Sequence, residues 1–272
     1  MMYRLNTLLS IYFFFKLSLV KCFKCSVNGS HNECDLIEEI VEKITKSKPN
    51  HMELDVAKYP VGIKSRTEAL IARLDIESNE DVCMVVICGI KGVGKTTIAK
   101  ATYNKILHHF KAKVFLENVR ERSKKNEGLI FLQKILLSSI LGNRNLEVCN
   151  VSRGIAMINE RLGRKRVLII LDDVDNLDQI EKLFGKCDQF AQGSRIIMTT
   201  RNKPLLVTPG NGILTYECEV KGLNEFEAIK LFSEHAFRSN KTNGDYLELM
   251  HEVIHYAKGL PLALVVMGAD LY

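Results

Sequence analysis

The sequence predicts an α/β protein, a doubly wound parallel sheet followed by a small helical subdomain. Three observations carry this. Residues 82–88 (VCMVVIC), 167–171 (VLIIL) and 194–199 (SRIIMT) are apolar runs without polar alternation, as strands buried on both faces require. Helical patterns at 95–110, 128–141 and 151–162 separate them, so right-handed crossovers must join parallel strands. After residue 223, Phe226, Ile229, Phe232 and Ala236 recur every three or four positions, the period of an amphipathic helix.

Taken in order, residues 1–30 form a hydrophobic segment of their own. Within it, 8–20 (LLSIYFFFKLSLV) is nearly all apolar, with Arg4 before it and Lys21 after, like a signal core or short anchor. It is shorter than the ~20 residues of a usual membrane helix, and Lys16 interrupts it. Asn28 would be a glycosylation acceptor only in a secreted chain. Cys22 and Cys25 make a lone CxxC; His31 and Cys34 lie nearby, but a zinc site needs a second such pair or correctly spaced histidines. Residues 31–58 read as an amphipathic helix (34–46) and a polar linker.

Residues 59–221 hold the sheet. Ser65 and Glu68 have the spacing of a capping box opening a helix through Leu70 and Leu74. A second strand is expected at 114–116. Cys83 and Cys88 lie in the first strand and read as small buried hydrophobes. Residues 222–272 are expected to be helical, with helices at 246–258 and from Pro261, a proline tolerated in a first turn.

Bulk properties narrow the function. An apolar share of 46% in 272 residues supports a sizeable core without disulfides. The formal charge of +6 is scattered, and neither basic cluster, 120–125 nor 164–166, adjoins aromatic residues that could stack bases. These clusters read as solvated faces, and no nucleic-acid partner is expected.

The chemistry concentrates at 89–97 (GIKGVGKTT), which matches G-x-x-x-x-G-K-[ST] between a buried strand and a helix: a P-loop. Gly89, Gly92 and Gly94 let the backbone turn its N–H groups inward around a polyphosphate, with Val93 between them. Lys95 is placed for the β- and γ-phosphates, Thr96 for Mg²⁺ and Thr97 for a phosphate hydrogen bond, beside a helix N-terminus. The run at 168–173 (LIILDD) brings two carboxylates to a strand's carboxyl edge. Asp172 is placed to hold Mg²⁺ through water and Asp173 to orient or deprotonate an attacking water. Asp175 reads as a turn or cap residue. Arg201, at the next strand end, could reach a γ-phosphate or be a surface arginine.

These blocks together resemble the NB-ARC module of plant disease-resistance proteins, in the class that carries a Toll/interleukin-receptor (TIR) domain. The resemblance spans roughly 35–272: the P-loop, 115–121 (FLENVRE), 168–175 (LIILDDVD), 193–201 (GSRIIMTTR), 216–237 (with GLNEFEAIKLFSEHAF) and 259–263 (GLPLA). It implies that 222–272 is an ARC1-like subdomain, that Val61 packs against adenine, that Pro261 closes the adenine pocket, and that Arg201 senses the γ-phosphate. Lys91 departs from the pattern, standing where glycine is common. No TIR domain, second ARC subdomain or leucine-rich repeats are read in these residues, so the chain is expected to be a truncated module, without TIR-type NAD cleavage.

The function this implies is an ADP/ATP-binding switch of a plant immune receptor, Mg²⁺-dependent and at most a slow ATPase. The alternatives are a non-catalytic adaptor or decoy fragment and a general P-loop ATPase. Other resistance-protein subunits or a full-length receptor are the expected partners. The expected location is the cytoplasm, with membrane association or secretory targeting through 8–20 as the alternative.

Overall fold

An apolar run without alternation needs neighbours on both faces, and β1 (Val82–Cys88) has them, being buried at all seven positions. In the computed structural model, which describes residues 53–142, 146–163, 165–185, 189–202, 213–237 and 247–271, β1 lies inside a five-stranded sheet. The other strands are β2 (Ala112–Leu116), β3 (Val167–Val174), β4 (Arg195–Thr200) and β5 (Ile213–Glu219). Their order is β2-β3-β4-β1-β5, and every pairing is parallel. The hydrophobic segment 1–30 and the helix expected at 34–46 lie outside the described residues.

Alternate residues of β1 feed two cores. Val82, Met84 and Val86 join one built on α4 (Gly128–Leu141), α5 (Val151–Leu162) and α6 (Leu177–Phe184). Cys83, Val85 and Ile87 join the other, built on α1 (Ile63–Leu74) and α2 (Lys95–Ile106). The sheet is therefore doubly wound, as its apolar runs predict. Cys83 and Cys88 are both buried, and the Cys88 thiol donates to Glu217 Oε1 at 3.1 Å. A third core joins α7 (Glu225–Ala236), α8 (Leu247–Ala257) and α9 (Pro261–Asp270) through Ala228, Phe232, Ile254 and Leu264. Asn224 and Glu227 start α7 with a reciprocal capping box.

Several expectations need correction. α1 begins at Ile63, not at Ser65: Gly62 stands at its N-cap with φ +68°, and no side chain caps the helix. Only glycine takes that backbone freely, and a Cβ there would lie 2.5 Å from Arg66 Nη1. β3 runs through both aspartates to Val174; its ladder with β4 shifts register after Leu171 and resumes at Val174 opposite Thr200. A bulge thus hides inside what reads as a strand end. The α-helix after the P-loop closes at Ile106 and passes into a 3₁₀ turn, Leu107–His109. The strand β5, with its mostly exposed and polar positions, and the short helices α3 (Val119–Ser123) and α6 escaped the periodicity argument. Tyr216, grouped by resemblance with the helical block, belongs to β5. The cap before α6 is Asn176, not Asp175.

The basic clusters are also not simply solvated. Arg166 lies 4.8 Å over the Phe110 ring and donates to Gly193 O at 2.9 Å. Arg120, in the other cluster, reaches an aspartate of the site described below.

Candidate functional site

Strands β1, β3 and β4 end side by side, and the loops leaving them meet a cavity of about 580 Å³. Its size suits a small organic ligand. At the sheet end its wall is the 89–97 loop; at the other it is α7, α9 and residues 57–63.

The loop is shaped by its glycines. Gly89, Gly92 and Gly94 have φ of +151°, +85° and +99°. Gly94 is constrained by backbone alone, since a Cβ there would meet nothing within 4 Å. Gly92 is constrained by a neighbour too: its Cβ would stand 2.8 Å from Leu262 Cβ, and Leu262 N donates to Gly92 O at 3.2 Å. The loop tip therefore touches the first turn of α9 directly. Lys91 has no such positive φ, so a lysine is unstrained there, and it lines the cavity. Val93 is buried and, with Thr97, also lines the wall.

Lys95 is 8% exposed, and its Nζ donates to Gly89 O and Ile90 O, each at 2.8 Å. An ammonium has three donors, so one remains for the cavity. Burial first, then the nearby Arg201 guanidinium, lowers its pKa from the ordinary lysine value; Asp173 and Asp172 oppose this.

The two aspartates have separate partners. Asp172 Oδ1 accepts from Thr96 Oγ1 and from Thr199 Oγ1, both at 2.7 Å. Asp173 sits in the bulge with φ +58°, a conformation aspartate tolerates better than most residues, and its N–H donates to Thr199 Oγ1 at 2.8 Å. This turns its carboxylate toward two arginines. Arg201 Nε lies 3.2 Å from Oδ1 and its Nη2 donates to Oδ2 at 3.3 Å, while Arg120 Nη2 lies 3.1 Å from Oδ2.

At the far end the wall is largely apolar: Val61, Leu231, Pro261 and Val265, with Tyr59 and His235 in edge-to-face contact at 4.9 Å. Burial, then Lys58, lowers the His235 pKa. Arg66 fastens this end, with Nη1 2.8 Å and Nη2 2.9 Å from the two oxygens of Glu227. The Arg66 hydrogen bond, chiefly, holds Glu227 below the usual carboxylate value.

Of the residues singled out in the sequence, Val61, Gly92, Val93, Gly94, Lys95, Thr96, Thr97, Asp172, Asp173, Arg201 and Pro261 all line this one cavity. Gly89 contributes through its carbonyl to Lys95. Arg66, Arg120, Thr199 and His235 were missed as site residues. Arg120, Thr199 and His235 do stand in the FLENVRE, GSRIIMTTR and GLNEFEAIKLFSEHAF blocks, which carry that signal; Arg66 reaches the site only through the fold.

Among the described residues no cluster of three or more histidine, cysteine, aspartate or glutamate side chains could hold a metal. The Thr96 hydroxyl and Asp172 carboxylate are nonetheless hard oxygen donors, and Mg²⁺ commonly takes only one or two protein oxygens beside phosphates and water. The donor set fits that ion. Among the same residues no helix is long and apolar enough to cross a membrane.

Comparison with known proteins agrees with this geometry. The NB-ARC domain family matches residues 63–242. Disease resistance protein RPV1 of Vitis rotundifolia is 44% identical over 241 residues, covering 88% of this chain and 17% of that protein. TMV resistance protein N of Nicotiana glutinosa is 38% identical over 252 residues, covering 90% of this chain and 21% of that protein. The chain thus spans about a fifth or less of the length of either relative. Among solved structures, a chain from Drosophila ORC bound to DNA superposes with a TM-score of 0.52 at 13% identity, covering 86% of this chain and 63% of that one. At that identity the likeness is one of fold.

Proposed function

This chain belongs to the NB-ARC family, and from that premise we propose that it is the adenine-nucleotide switch module of a plant immune receptor, binding ADP and ATP with Mg²⁺ and hydrolysing ATP slowly. The observation that carries this reading is that one cavity has both a glycine-walled end with Lys95 and Arg201 and an apolar end. A nucleotide has the same two halves.

The loop N–H groups and the remaining Lys95 donor bind the β- and γ-phosphates, with Thr97 beside them. Thr96 and Asp172 hold Mg²⁺, which when bound neutralises phosphate charge. Val61 and Pro261 face the base from opposite sides. Asp173 orients the attacking water. Both its oxygens are already engaged by guanidinium groups, which suits slow turnover. Arg201 tells ATP from ADP by leaving Asp173 for the γ-phosphate. A ligand shifts a conformational equilibrium only through contacts that differ between states, and this arginine supplies one. ADP holds the resting state, and ATP favours a state that assembles with other receptor subunits in the cytoplasm.

The test is equilibrium binding of labelled ADP and ATP, with the nucleotide content of denatured protein as a second measure. Micromolar or tighter adenine-nucleotide binding is expected. A folded protein that binds neither nucleotide overturns the reading.

A further inference from the structure

The Asp173 carboxylate is paired with two guanidiniums, and the proposed function uses only one of them. Arg120 comes from α3, a helix of five residues whose Val119 is buried in the core and whose Ser123 accepts from Gln179 Nε2 at 2.9 Å. Gln179 in turn accepts from Asp175 N at 3.2 Å, tying α3 to the turn after β3. Arg120 is thus carried by an anchored element. Arg201 stands one residue beyond β4 and is the more exposed of the two, 36% against 24%. Arg201 lines the cavity; Arg120 stands behind Asp173. Arg120 Nε is buried without a hydrogen-bond acceptor, its approach to Glu121 Oε1 at 3.3 Å being off axis. Its side chain is therefore held here by ion pairs, to Asp173 and to Glu121.

We infer that Arg120 is a positioning residue for nucleotide discrimination: it keeps the Asp173 charge paired when Arg201 turns to a γ-phosphate. The inference rests on the proposed role of Arg201. If Asp173 had one partner, releasing Arg201 would strand a largely buried carboxylate, and an unpaired carboxylate at such a site is costly. With Arg120 fixed behind it, Asp173 loses one of two partners and remains neutralised. The pair of arginines makes the exchange of Arg201 between carboxylate and phosphate nearly balanced, so a modest difference in ligand can tip it.

The experiment measures ADP and ATP affinities of the full chain and of Arg120→Gln, Asp173→Asn, the double variant and Arg201→Ala. Arg120→Gln should lower the ATP-to-ADP affinity ratio by about fivefold, the upper range of a partly exposed ion pair, with ADP affinity and melting temperature little changed. In the Asp173→Asn background the same substitution should have no effect on the ratio, because no carboxylate holds Arg201 back. An unchanged ratio in Arg120→Gln overturns the inference. So does an equal loss for both nucleotides, which marks a structural role, or an effect that persists in Asp173→Asn, which marks long-range charge. Arg201→Ala separates this from the underlying reading: if that variant keeps the wild-type ratio, the sensor role itself is wrong.

Discussion

At the sheet end of the cavity, the polar groups come from the carboxyl ends of β1, β3 and β4, and hydrogen bonds of 2.7–2.8 Å fix several of them to one another. At the helical end, Val61 precedes α1, Leu231 and His235 lie on α7, and Pro261 and Val265 lie on α9. The Arg66–Glu227 pair fastens these segments across 161 residues of sequence. One end is built on the adjacent strand ends of a buried sheet; the other is assembled by packing between α7, α9 and the segment before α1. A ligand spanning both reports on their relative position, which is how a binding site becomes a switch. Binding to a rigid half alone changes nothing elsewhere, whereas closing the assembled half costs or gains whatever holds the segments together.

The largest effect should come from the sheet end. Lys95→Ala is expected to weaken ADP and ATP by up to about a hundredfold, since a hydrogen bond to a charged group is worth ~1.5–3 kcal/mol and the proposed function aims the remaining Lys95 donor at the phosphates. Adenosine should bind the variant as it binds the parent, and equal loss of adenosine would erase the distinction between the ends. Asp173→Ala should slow γ-phosphate release by about a hundredfold, the scale of a lost general base, with ADP affinity nearly intact. Wild-type hydrolysis in that variant would leave Asp173 as an anchor for arginines and nothing more.

Arg66→Ala tests the assembled end. It should cost about 1 kcal/mol of stability, as for a good surface-to-buried ion pair, and weaken adenosine, ADP and ATP together. It also carries a pH signature. Glu227 has its folded pKa depressed by Arg66, so the pair's stabilisation is complete above the unfolded glutamate value and is lost as pH falls through the lower, folded one. Melting temperatures of parent and Arg66→Ala should converge below pH 4.5 and separate at neutral pH. A gap that does not narrow on acidification would mean that Arg66 acts through packing. The smallest effect is expected of Val61→Ala: Val61 is only partly buried, so losing two methyl groups should reduce all three affinities by a few fold, less than the ~10-fold or more that one methylene is worth in a closed pocket. Selective loss of ATP alone would place Val61 near the phosphates and contradict the two-ended site.

The sequence by itself determined four of the five strands, the glycine loop and the aspartate pair, because each depends on residues near one another in the chain. A run such as VCMVVIC can only be buried on both faces, and G-x-x-x-x-G-K-T prescribes its own backbone. It also placed Val61 and Pro261 by resemblance, and both line the cavity. Tertiary structure alone decided that β3 continues through Asp172 and Asp173 by a bulge, because a register shift exists only relative to β4. It decided that Arg120 is an ion-pair partner of Asp173 and not a solvated charge, because nothing in a short, polar stretch says which carboxylate lies opposite. It joined Arg66 to Glu227 for the same reason. Local patterns encode which backbone a segment adopts; pairings of charge across 161 residues follow from how the finished layers come to rest against each other.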